Sequence, residues 1–108
     1  MRIPVIDAGQ LPAGAYLLDV REPDEWTAGH APGAVHLPMM EVPARLEEIP
    51  RDGDVVVVCR SGGRSGQVVA YLQQQGYDNV VNLDGGMLDW AAGGRPMVSE
   101  DGQPARVV

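Results

Sequence analysis

Cysteine is the scarcest chemical resource in this sequence. One cysteine, Cys59, stands among 108 residues, so no internal disulfide can form, and any sulfur exchange at Cys59 needs an outside partner. One cysteine with two distant histidines, His30 and His36, makes no zinc ligand set, and no metal or cofactor is expected. Lysine is absent: every basic residue is an arginine, and the formal net charge is −7. An acidic surface of that kind argues against non-specific nucleic-acid binding. No apolar run reaches the length of a membrane-spanning helix, and no basic start followed by a long apolar segment marks a secretory leader. A cytoplasmic placement is therefore expected, away from membranes. There is no internal repeat and no linker, so the length fits one domain.

What is present concentrates between Val55 and Gly76. Four consecutive valines, Val55–Val58, predict a buried strand, since β-branched side chains suit the pleated backbone and an all-apolar run suits a sheet covered on both faces. Cys59 stands where that strand ends. Arg60, Ser61, Gly62, Gly63 and Arg64 form a loop, and a helix follows with Ser65 as its expected N-cap and Gly76 as its stop. The glycines permit a tight curl with amides turned inward, and those amides can converge on whatever Cys59 carries. Arg60 and Arg64 add positive charge. Each contribution favours thiolate, so the Cys59 pKa should fall below the ~8.5 of a free cysteine. The outcome is a nucleophile with no histidine base beside it. Cys59 is the candidate catalytic residue; Arg60, Ser61, Gly62, Gly63, Arg64 and Ser65 are the candidate substrate-binding residues.

Along the rest of the chain, Ile3–Ile6 reads as an edge strand because of Pro4, and Tyr16–Val20 as a central one. Pro23 and the acids after it suit the first turn of a short helix. Asp19, Arg21 and Glu22 read as a strand end with an arginine–acid pair. A glycine-punctuated loop with His30 leads to a strand at Val35–Leu37. Met39, Val42, Leu46 and Ile49 recur at helical spacing and predict a helix from about Glu41. A last strand runs over Asn79–Leu83, and Trp90 reads as a core anchor beyond the glycine pair Gly85-Gly86. Residues 1–97 make the domain, and 98–108, without periodicity, read as a tail, extended or partly disordered. Strands alternating with helices imply an α/β fold: a mostly parallel central sheet of about five strands with helices on both faces and a site at the strands' C-terminal edge.

Cys59-Arg60-Ser61-Gly62-Gly63-Arg64-Ser65 resembles the active-site loop of the rhodanese family. Asp19-Val20-Arg21, Gly29-His30-Ala31-Pro32-Gly33-Ala34 and Leu83-Asp84-Gly85-Gly86 with Trp90 are similar to that family's other signatures. The resemblance spans roughly residues 3–97. It implies a rhodanese-like fold and a single-domain thiosulfate sulfurtransferase that works through a Cys59 persulfide. Small sulfur donors and acceptors (thiosulfate, cyanide, thiols) are the implied partners, and a protein that gives or takes a persulfide is a further one. His30 belongs to the scaffold in this family. Two alternatives follow: a persulfide carrier serving a specific partner protein, or a phosphatase or arsenate reductase of the same fold. The latter enzymes have Cys-x5-Arg, whereas Cys59 and Arg64 form the shorter Cys-x4-Arg.

Overall fold

A computed structural model describes residues 3–108. Five short strands, β1 (Val5–Ile6), β2 (Tyr16–Asp19), β3 (Val35–His36), β4 (Val55–Val58) and β5 (Val80–Leu83), form one sheet in the order β1-β5-β4-β2-β3. Every neighbouring pair is parallel. Three α-helices accompany them: α1 (Pro23–Ala28), α2 (Gly63–Gln74) and α3 (Gly86–Ala92).

β4 is the middle strand because it alone has nothing to show to water. All four valines are buried, and they alternate between two cores. Val55 and Val57 pack with Val68, Val69 and Leu72 of α2 on one face. Val56 and Val58 pack with Leu83 of β5 and with Met87 and Trp90 of α3 on the other. Each such side chain contributes roughly 1.5–3 kcal/mol relative to leaving it in water. The expected α/β architecture, with helices on both faces, is what forms. The strand after Pro4 is an edge strand, as its proline requires, and the carbonyl of Pro4 accepts from the Asn82 amide at 2.8 Å.

The helix expected from Glu41 is not an α-helix. Two 3-10 stretches, Met39–Glu41 and Pro43–Glu48, replace it, and Arg45 breaks the second with φ −122° and ψ 28°. Pro43 brings no amide hydrogen, and the segment closes on bonds spanning three residues, such as Ile49 N–H to Leu46 O at 3.1 Å. The apolar spacing still delivers Val42 and Ile49 to the core. Residues 98–108 hold no helix or strand; they run along the domain and bend back on themselves at 100–103. Val98 and His30 exchange backbone hydrogen bonds of 2.8 and 2.9 Å, Glu100 donates to Thr27 O, and Arg106 donates to Ala28 O. An all-parallel sheet puts every strand's C-terminal end on one edge, so Asp19, Cys59 and Asp84 gather there.

Candidate active site

Cys59 leaves β4 at that edge and is only 1% exposed. The chain turns at once, and two features set the direction of its peptide groups. Gly62 takes φ 109°, a conformation that side-chain-bearing residues rarely adopt. Across the loop, the start of α3 holds the outward carbonyls: Met87 N–H donates to Cys59 O at 2.8 Å and Leu88 N–H to Arg60 O at 3.0 Å. A Cβ on Gly86 would collide with the backbone of Cys59 and Arg60, so the close approach of α3 depends on that glycine. With the carbonyls tied outward, the amides face the sulfur.

The Gly62 amide donates to Cys59 Sγ at 3.1 Å, and the Ser65 hydroxyl lies 3.3 Å from the same sulfur. Helix α2 begins at Gly63 with Gly62 as N-cap and no side-chain cap. Ser65 is therefore not the N-cap expected from the sequence. It lies inside the first turn, fully buried, with its hydroxyl between the Cys59 sulfur and Asn82 Oδ1 rather than on the backbone. Burial is the largest single influence on the Cys59 thiol and pushes its pKa up. Hydrogen bonds from the Ser65 hydroxyl and from the amides of Ser65, Gly62 and Ser61 together outweigh it, and the pKa is lowered.

The arginines are placed differently from the sequence expectation. Arg64 turns to Glu25 of α1 in a two-pronged ion pair of 2.7 and 2.8 Å. Glu25 also accepts the Glu22 amide at 2.9 Å. The Arg64 hydrogen bonds hold the Glu25 carboxyl below the usual carboxylate range against the opposing effect of burial. Arg60 is exposed, and its Nε donates to Val108 O at 3.1 Å. Ser61 and Gly63 are exposed on the rim. Thus Cys59, Gly62 and Ser65 converge, while the two guanidinium groups point to other partners.

The neighbouring strand end is closed. Arg21 and Asp19 are both fully buried; Arg21 grips the carboxylate at 2.7 and 2.9 Å and donates to Gly29 O at 2.8 Å. This is the arginine–acid pair read from the sequence. His30 has both ring nitrogens engaged, with Ala31 O at 3.0 Å and Glu100 at 2.7 Å, and its ring stacks on Trp26 at 3.5 Å. Trp26 stacks on His36 as well, at 4.8 Å. Neither histidine hydrogen-bonds to the sulfur. No group of three or more metal-ligating side chains occurs among the described residues.

Two contributors escaped the sequence reading: Glu25, which takes Arg64, and Asn82 of β5. The signal for Asn82 was a polar residue inside the apolar run Val80-Val81-Asn82-Leu83, at a position that a covered parallel strand reserves for apolar side chains.

Residues 6–93 match the model of the Rhodanese-like domain. The chain belongs to the rhodanese family. Among similar rhodanese-family proteins, a sulfurtransferase of Allochromatium vinosum is 52% identical over 86 residues, which is 80% of each chain. The Bacillus subtilis protein YrkF, named as a candidate sulfur carrier, is 39% identical over 74 residues, or 68% of this chain and 40% of its own length. The crystal structure of a rhodanese-related protein from Thermoplasma volcanium superposes with a TM-score of 0.82 at 33% identity, covering 88% of this chain and 97% of that one. This rhodanese domain thus has relatives named for sulfur transfer and keeps a single cysteine at the strand end.

Proposed function

We propose that the domain transfers sulfane sulfur through a persulfide on Cys59, with thiosulfate as a competent donor. The observation that carries this reading is a buried sulfur hydrogen-bonded by loop amides and a hydroxyl, with its pKa lowered and no histidine bonded to it. In the first half-reaction the Cys59 thiolate attacks the outer sulfur of thiosulfate. A sulfur–sulfur bond forms to Sγ, the donor's own sulfur–sulfur bond breaks, and sulfite leaves with that bond's electron pair. The persulfide's negative charge then rests on its terminal sulfur, where the amides of the Ser61–Ser65 loop stabilise it as an oxyanion hole would. In the second half-reaction cyanide or a thiolate attacks that terminal sulfur, and Cys59 returns as thiolate.

Arg60, exposed on the rim, is the guanidinium that meets an anionic donor. Arg64 shapes the loop through Glu25 and gives way to a donor only by breaking that pair. The same pair argues against a phosphatase or arsenate reductase, which would need the arginine free for a tetrahedral oxyanion.

The test is intact mass after incubation with thiosulfate, and again after cyanide. One sulfur gained on Cys59 and lost to cyanide supports both half-reactions. A folded protein that gains no sulfur from thiosulfate, yet gains one from a persulfide-bearing protein, would favour the carrier reading, which the likeness to YrkF keeps open. No gain from either donor would overturn sulfur transfer.

A further inference from the structure

Ser65 lies within hydrogen-bonding distance of two acceptors and has one hydrogen to give. Its Oγ is 3.3 Å from Cys59 Sγ and 2.5 Å from Asn82 Oδ1. The Asn82 amide cannot reverse its roles, because its Nδ2 donates to Gly62 O at 3.0 Å. Oδ1 therefore faces Ser65 as an acceptor only. Asn82 is buried in β5, and its amide is wedged against α2: a Cβ on Gly66 would come within 3.3 Å of Nδ2. The hydroxyl thus has two fixed destinations, one of which changes its charge during the reaction.

We propose that Asn82 is a positioning residue that competes with the Cys59 sulfur for the Ser65 hydroxyl hydrogen, so that the hydroxyl turns to Sγ when it is a thiolate and back to Asn82 Oδ1 when it is not. Acceptor strength decides where the hydrogen goes. A thiolate draws a charge-assisted hydrogen bond that a neutral amide oxygen does not match. A thiol, or the inner sulfur of a persulfide, is a weak acceptor. In those states the hydrogen belongs to Asn82. No bond to hydrogen breaks; the O–H rotates about the Cβ–Oγ bond. Asn82 thereby favours every state in which Sγ is uncharged, including the sulfur-loaded one, a consequence that rests on the persulfide reading above. The charged groups on the surrounding elements do not share this contact. Arg60 bonds Val108, Arg64 is paired with Glu25, Arg21 with Asp19, and Asp84 and Asp89 are exposed.

The test titrates Cys59 by thiolate absorbance, with the Cys59→Ser protein as blank, in wild type, Ser65→Ala, Asn82→Ala and the double variant. Ser65→Ala should raise the midpoint by about one pH unit, a tenfold loss of thiolate at a fixed pH below it. In the wild-type background, Asn82→Ala should lower the midpoint relative to its effect in the Ser65→Ala background, by about half a unit. An equal shift in both backgrounds would mean that Asn82 only braces the loop through Gly62, and would overturn the proposal. Should Asn82→Ala not fold, the carbon-13 resonance of the Asn82 side-chain carbonyl decides in the native chain. It should titrate with Cys59 in wild type and lose that response in Ser65→Ala; an unchanged response would overturn the competition. The titration needs no sulfur donor, so failure to load sulfur and failure of this competition are read separately.

Discussion

The ends of β2 and β4 lie side by side on one sheet edge, and each buries an acidic side chain. They solve the same problem in opposite ways. At β2, Asp19 is neutralised by Arg21, a side-chain cation that is itself fully buried. At β4, the Cys59 sulfur is held by loop amides and a hydroxyl, donors that carry no net charge. A carboxylate gripped by a guanidinium has its lone pairs spent and its charge cancelled, and it reacts with nothing. A sulfur held by dipoles has its thiolate form favoured and keeps its electron pair for attack. The comparison separates a charge used for architecture from one kept for chemistry.

The largest effect should come from removing the reactive group. Cys59→Ser should abolish sulfur loading, read by intact mass, while circular dichroism stays native; loading in a folded variant would contradict the assignment. Next is the closed pair. Arg21→Met leaves Asp19 buried without its partner and should cost about 3–5 kcal/mol of stability in urea unfolding. A loss below about 1 kcal/mol, the range of exposed pairs, would show that the two strand ends differ less than their geometry implies.

The third prediction concerns pH. A thiolate favoured in the folded state adds stability above the unfolded pKa of about 8.5, and that stability is lost as pH falls through the lowered folded pKa. Wild type should therefore gain stability over Cys59→Ser as pH rises from the folded pKa toward about 8.5, and the gap should level off beyond it. A gap independent of pH would mean that the loop does not favour thiolate. The smallest effect is at the rim. Arg64→Ala removes a partly exposed ion pair with Glu25 and should cost about 1 kcal/mol. Its dependence on thiosulfate concentration should change less than that of Arg60→Ala; the reverse ranking would restore Arg64 as the donor-binding cation.

Much of this was legible without coordinates. Val55–Val58 announced a central strand because nothing in it tolerates water, and the glycine-rich loop after Cys59 announced a curl of inward amides. The carbonyl tether from α3 to Cys59 and Arg60 was not legible, since it joins residues with nearly thirty others between them. The partner of Arg64 was not legible for a similar reason. The arginine's charge is written in the sequence, but whether it meets a substrate or Glu25 depends on where α1 lies. Ser65 was read as a cap because its spacing from the strand allows that role; only the position of the sulfur and of Asn82 shows that its hydroxyl is committed elsewhere. In the 41–49 segment the apolar spacing points to Val42 and Ile49, which are buried, and to Leu46, which is half-buried, but it does not distinguish an α-helix from the tighter turns that Pro43 favours.

The strand order has a consequence for how the domain assembles. β4, α2 and β5 follow one another in the chain and touch in the sheet, so the segment from 55 to 83 can form with few distant contacts. The two-residue β1 can dock only by closing a loop of more than seventy residues onto β5. Contacts between chain neighbours form ahead of those that must close long loops. Amide hydrogens of β4 should accordingly be the slowest to exchange with solvent. Those of Asn82 and Asp84, which bond to Pro4 and Ile6, should exchange sooner, through openings that peel the edge and leave the sulfur's cradle folded.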